Sequence, residues 1–110
     1  MLPSSLPSTV PALLTPYSVT LRDDLVSSSN VLGTTRYASR SIELDSSLSP
    51  ELAWATFWHE FFHVFLFDTG LHNLLKDNLQ EAFCDAFGSF MTKAQKEGWL
   101  VVTPDSDDQD

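Results

Sequence analysis

Between Pro50 and Phe67 the chain is apolar on nearly every side. Leu52, Trp54, Phe57, Trp58, Phe61, Phe62, Val64, Phe65 and Leu66 spread all around a helical wheel. A helix with no broad polar face is predicted to be central and buried, because it has no side to offer to water. Its start is marked: Ser49 is placed to cap it, Pro50 suits the first helical position, and Glu51 suits the positive end. Asp68-Thr69-Gly70 marks its end. Inside this run stand His59, Glu60 and His63, which would lack partners in an apolar core. They spell His-Glu-x-x-His. Residues four apart share a helix face, so the two imidazoles point the same way, with the Glu60 carboxylate beside them. Two imidazoles that grip one ion and a carboxylate that takes a proton from its water are what zinc-dependent peptide hydrolysis needs. With 3 His and 5 Glu among 110 residues, chance would produce this pattern in roughly 0.4% of such chains. The plainer alternative is two histidines that are merely packed or solvated.

A catalytic zinc site normally takes three protein ligands and leaves one position to water. A second helix is expected from about Asn78 to Lys96, stopping at Gly98. Leu79, Ala82, Phe83, Ala86, Phe87 and Phe90 form its apolar face. Glu81 and Asp85 are four apart and share a flank of that helix. Carboxylates beside buried Phe and Ala are costly unless paired or metal-bound. One assignment makes Glu81 the third zinc ligand and Asp85 the carboxylate behind a ligating imidazole. The alternatives are that Glu81 closes a capping box with Asn78 and that Asp85 is simply solvated. Cys84 is a possible competing thiolate ligand. It lies about 100° around the helix from Asp85 and reads as a small core residue.

His59-Glu60-x-x-His63 followed by Glu81-x-x-x-Asp85 on a second helix resembles the gluzincin metallopeptidases. The run Glu81-Ala82-Phe83-Cys84-Asp85-Ala86-Phe87-Gly88 is similar to the E-x-x-A-N-x-F-A segment of ImmA/IrrE-type metallopeptidases, and the short chain resembles the single-domain minigluzincins. The resemblance covers roughly residues 33 to 91. It implies His59, His63 and Glu81 as zinc ligands, Glu60 as general base, and Asp85 as the acid that orients an imidazole, His59 by the family pattern. Two positions depart from the pattern. Phe62 stands where those enzymes commonly have Gly, which bears on the shape of the cleft, and Asp85 stands where they have Asn. An oxyanion donor is also expected; His72, in the connection between the helices, is the candidate, with Tyr37 and Tyr17 behind it.

The expected fold is α+β: a small zincin-like domain in which a short twisted sheet packs on the His-Glu-x-x-His helix and a second, Glu-bearing helix. Residues 1–16, rich in Pro and Ser, read as an arm of which Val10, Leu13 and Leu14 could dock. Residues 17–103 form the domain and 104–110 an acidic, disordered tail. Tyr17 to Leu21 and Arg40 to Leu44 alternate and are read as strands. Ser27 to Asn30 is expected to be a loop. The resemblance makes the second strand the sheet edge along which a protein or peptide substrate lies extended; the alternative is an ordinary core strand with no substrate role. Trp99 to Val102 is expected to add a strand or dock, and either it or the arm is a candidate cover for the groove. So small a domain leaves room only for a shallow groove.

Net charge is −9. Asp105, Asp107, Asp108 and Asp110 carry four of those charges, leaving about −5 on the remainder. That balance opposes a nucleic-acid partner. One cysteine excludes an internal disulfide. Neither a secretory leader nor a membrane-spanning run is expected, so a cytoplasmic site is the default. Two functional classes follow: a zinc metalloendopeptidase, or a metal-containing regulatory module of the anti-repressor or toxin/antitoxin type that acts on a protein partner with little general proteolysis.

Overall fold

The computed structural model describes residues 5–102. It is an α+β domain with a four-stranded mixed sheet and three helices, packed into a body of 38 × 34 × 28 Å. The strands are β1 (Thr9–Val10), β2 (Tyr17–Arg22), β3 (Gly33–Arg36) and β4 (Ser41–Asp45); the helices are α1 (Leu25–Ser29), α2 (Pro50–Thr69) and α3 (Asp77–Lys96). A short 3-10 turn, Leu71–Leu74, joins α2 to α3. The acidic tail expected over 104–110 lies outside the described residues. No helix among the described residues is long and apolar enough to cross a membrane.

The sheet order is β1-β2-β4-β3, with β2 and β4 parallel and the outer pairs antiparallel. Alternation along β4 sorts its side chains. Ile42 and Leu44 are fully buried towards α2, while Glu43, on the other face, pairs with both Arg22 and Arg36. The strand expected at Arg40 to Leu44 therefore exists, one residue displaced, but it is not the sheet edge. β2 and β3 bond to its two sides, so its backbone groups are used. The edge is β3. Thr35, opposite Ile42, points inwards to α2.

α2 begins as expected: the Ser49 hydroxyl accepts the Leu52 N–H at 3.3 Å and Pro50 opens the helix. It runs to Thr69, two residues beyond Phe67, because the Thr69 hydroxyl bonds back to the Phe65 carbonyl at 2.7 Å before Gly70 turns left-handed at φ +80°. Its burial is less complete than its composition implies. Trp54, Phe57, Trp58, Val64 and Leu66 are core, whereas Phe65 and Leu52 are exposed.

Three expectations are corrected. The polar stretch after Asp24 is a short helix, not a loop, because Leu25 is buried and the Asp45 carboxylate accepts the Val26 N–H at 3.0 Å. The arm does dock, through Val10 in β1 and through Leu6 and Ala12, but Leu13 and Leu14 stay exposed. Most of the apolar stripe of α3 faces out. Leu79, Phe83 and Phe90 are exposed, Phe87 packs on the core, and the helix presents Cys84, Gly88, Thr92 and Gln95 to the body. The centre of that buried set lies roughly 155° around the helix axis from the three exposed residues. Gln95 accepts the buried Trp58 indole N–H at 2.8 Å, and Gly88 allows the helices to touch. Trp99 to Val102 adds no strand; Leu100 and Val102 pack on the core while Trp99 and Val101 are exposed.

Candidate metal centre

The rotation of α3 brings its carboxylates to α2. One Glu81 oxygen lies 3.1 Å from His59 Nε2 and the other 2.9 Å from His63 Nε2. Asp85 Oδ1 lies 2.7 Å from His59 Nδ1. Glu60 is buried, its Oε2 3.9 Å from His59 Nε2. The five residues expected from the sequence therefore meet in one place. The capping role for Glu81 is not used. Helix α3 has Lys76 at its N-cap with no side-chain cap bond, and Gln80 reaches back to the carbonyls of His72 and Leu75.

The donor set suits a cation. Asp85 accepts a hydrogen bond from His59 Nδ1–H, and in that tautomer of the neutral ring Nε2 carries the lone pair. That lone pair faces a carboxylate oxygen at 3.1 Å, two acceptors opposed with room for a proton or metal between them. Zinc bonds of about 2.0–2.2 Å at a tetrahedral centre hold ligand atoms about 3.3 Å apart, close to the separations found here. Each histidine meets a Glu81 oxygen at about that range, His59 one oxygen and His63 the other. The two histidines also meet Cys84: its sulfur and a ring nitrogen of each lie within 4.8 Å of one another. The thiol is fully buried, and burial followed by the charges of Glu81, Glu60 and Asp85 pushes its pKa up to about 12. The sequence reading had it as core packing. The signal for more was there, since Glu81 and Cys84 are three apart and share a helix face.

Sequence reasoning also missed Thr35. Its hydroxyl donates to Glu60 Oε1 at 2.6 Å and lies 3.3 Å from the Glu60 carbonyl oxygen. The Glu60 pKa is raised, chiefly by burial, with Thr35 and then the two imidazoles pulling it back. A strand threonine opposite a buried helix has no local signature; only the register of β3 on β4 aims it.

Two grooves meet at the site, both lined by Gly33, His59, Glu60 and Glu81. The larger, about 610 Å³, continues past Leu32, Leu52 and Asp85. The smaller, about 250 Å³, continues past Thr35, Tyr37 and His63. His72 lines neither. Its ring packs 5.0 Å from that of Phe67, because the 3-10 turn lays it on the end of α2. Tyr37 does line the smaller groove. Burial, and after it the charge of Glu60, raises its pKa to about 12, so it keeps its proton. Phe62 also avoids the grooves, stacking on Phe87 at 4.6 Å between the helices. Neither groove is covered by described residues of the arm or of 99–102. Residues 11–13 instead line a separate apolar pocket with Phe61, Val64 and Phe65.

No protein-family model matches the chain, and no curated protein or solved structure matches it. What can be said of function comes from the site itself.

Proposed function

We propose that this chain is a small zinc-dependent metallopeptidase. The observation that supports this reading best is the convergence of His59, His63 and Glu81, with Glu60 buried beside them and Asp85 on the far nitrogen of His59. Zinc held by the three ligands would polarise a scissile carbonyl and make a bound water acidic near neutral pH.

The chain's own groups supply the rest. Glu60 is the general base. Thr35 holds one of its oxygens and leaves the other towards His59, and burial raises its proton affinity towards the working range. It takes the proton of the attacking water and gives it to the leaving amine. Asp85 holds His59 in the tautomer that presents Nε2. Tyr37, protonated and lining the groove, takes the oxyanion-donor role first expected of His72. The free edge of β3, Gly33–Arg36, replaces β4 as the strand along which an extended peptide would bond.

The test is Glu60→Gln with elemental analysis and a peptide-library digest. About one zinc per chain with cleavage abolished is expected. Undiminished cleavage refutes the mechanism. A biological effect that survives in this variant, with no cleavage, selects the regulatory binding module instead.

A further inference from the structure

Cys84 stands apart from the chemistry derived so far. A buried free thiol usually packs among apolar groups. This one lies among ionisable ones, within 4.8 Å of ring nitrogens on both histidines, on the helix that also delivers Glu81. Thiolate and imidazole are the protein ligands zinc prefers, and four of them close a site that three leave open.

We propose that Cys84 is a ligand of the same metal. With His59, His63 and Glu81 it makes a four-ligand set, so that the resting centre is coordinatively closed. Glu81 and Cys84 sit on adjacent turns of one helix and approach from different depths. Glu81 is half exposed at the groove and Cys84 is fully buried beneath it. A shared tetrahedral ion would hold sulfur and nitrogen about 3.5 Å apart, so a group whose atoms lie within 4.8 Å of one another would close by at most about 1.3 Å around it. The thiol gives its proton to solvent as the metal–sulfur bond forms, which is the ordinary consequence of coordination. With all four ligands in place no position would be open to water, so an open centre would need the Cys84 thiolate displaced. The groove-side carboxylate and the buried sulfur thus set the balance between an open and a closed centre. This inference shares one premise with the metallopeptidase reading, a metal on the histidine pair, and adds a claim that reading does not need.

Cobalt(II) is the probe, added to the full-length protein in place of zinc. Wild-type protein is expected to bind about one Co2+ and to show the near-ultraviolet thiolate-to-cobalt charge-transfer band. Cys84→Ala is expected to bind Co2+ without that band. In Glu81→Ala the band persists, and adding Cys84→Ala to it costs at least ~10-fold more in affinity, the smallest effect known for partners that only support a ligand. Stoichiometric Co2+ in wild type without the band overturns the proposal and leaves the metallopeptidase reading standing. No Co2+ or zinc bound overturns both. The wild-type spectrum alone decides, so the proposal stays falsifiable if a variant fails to fold.

Discussion

Gly88 is where the two long helices touch, and a single methyl group there tests how the site is assembled. A β-carbon on Gly88 would lie 2.6 Å from the Ala55 carbonyl oxygen and 3.3 Å from the His59 nitrogen. A relaxed carbon–oxygen contact is about 3.3 Å, so α3 must withdraw by about 0.7 Å. Both contacted atoms are backbone, and no rotamer change relieves them. Alanine gains about 1 kcal/mol in helix propensity. Overpacking costs ~1–3 kcal/mol, and a rigid partner places the cost at the upper end. The net expectation is a loss of about 2 kcal/mol, which is about 8 °C in melting temperature for a domain of this size. The withdrawal also stretches the 2.7 Å contact of Asp85 with His59, one turn earlier on α3, to about 3.4 Å, where a hydrogen bond is weak. Metal affinity of Gly88→Ala should fall by ~10-fold in consequence. Thermal unfolding followed by circular dichroism and competition against a chromophoric chelator measure the two effects. Gly70→Ala is the control. Nothing lies within 4 Å of its added carbon and its φ is +80°, so it should lose about 1 kcal/mol to backbone strain and leave metal affinity unchanged. A Gly88→Ala protein that melts higher than wild type with unaltered affinity would refute the close helix contact.

Three further outcomes are expected. Thr35→Val removes the hydroxyl that stabilises ionised Glu60. Zinc content should hold while turnover falls and the acid limb of the pH–rate profile moves to higher pH; a limb that stays put removes Thr35 from the site. Asp85→Ala should weaken zinc binding by ~10-fold, the low end for such partners because its side chain is 75% exposed and its attraction to His59 is screened. Asp45 accepts from the Ser47 hydroxyl and from the Val26 and Ser47 N–H groups, and these bonds hold its pKa below the ordinary carboxylate value, the Ser47 hydroxyl foremost. A carboxyl with a folded pKa below its unfolded one contributes stability above the unfolded value and loses it as pH falls through the folded one. Asp45→Asn should therefore flatten the acid side of a melting-temperature-against-pH curve, and an unchanged slope would count against these bonds.

The spacing of the candidate site residues was legible in the sequence because a helix converts spacing into direction. His59 and His63 sit one turn apart on α2, as Glu81 and Asp85 do on α3, whatever packs around them. Ser49, Pro50 and Gly70 bounded α2 by local rules that hold before any tertiary contact forms. Composition misled where local and global forces disagreed. Leu79, Phe83 and Phe90 mark an apolar stripe, yet α3 turns its other side inwards. A small glycine contact, the Gln95–Trp58 hydrogen bond and three carboxylate–imidazole contacts act on the side that α3 does bury.

By itself, then, the sequence determined which residues are one helical turn apart and where the long helices start and stop. Those properties depend on neighbours within four positions along the chain. Tertiary structure decided that β3, not β4, is the sheet edge beside the site, that Thr35 supports Glu60, that Tyr37 lines the groove while His72 does not, and that the Cys84 sulfur lies with the histidines. Each of those depends on strand order and helix rotation, which are set by contacts between residues far apart in the chain.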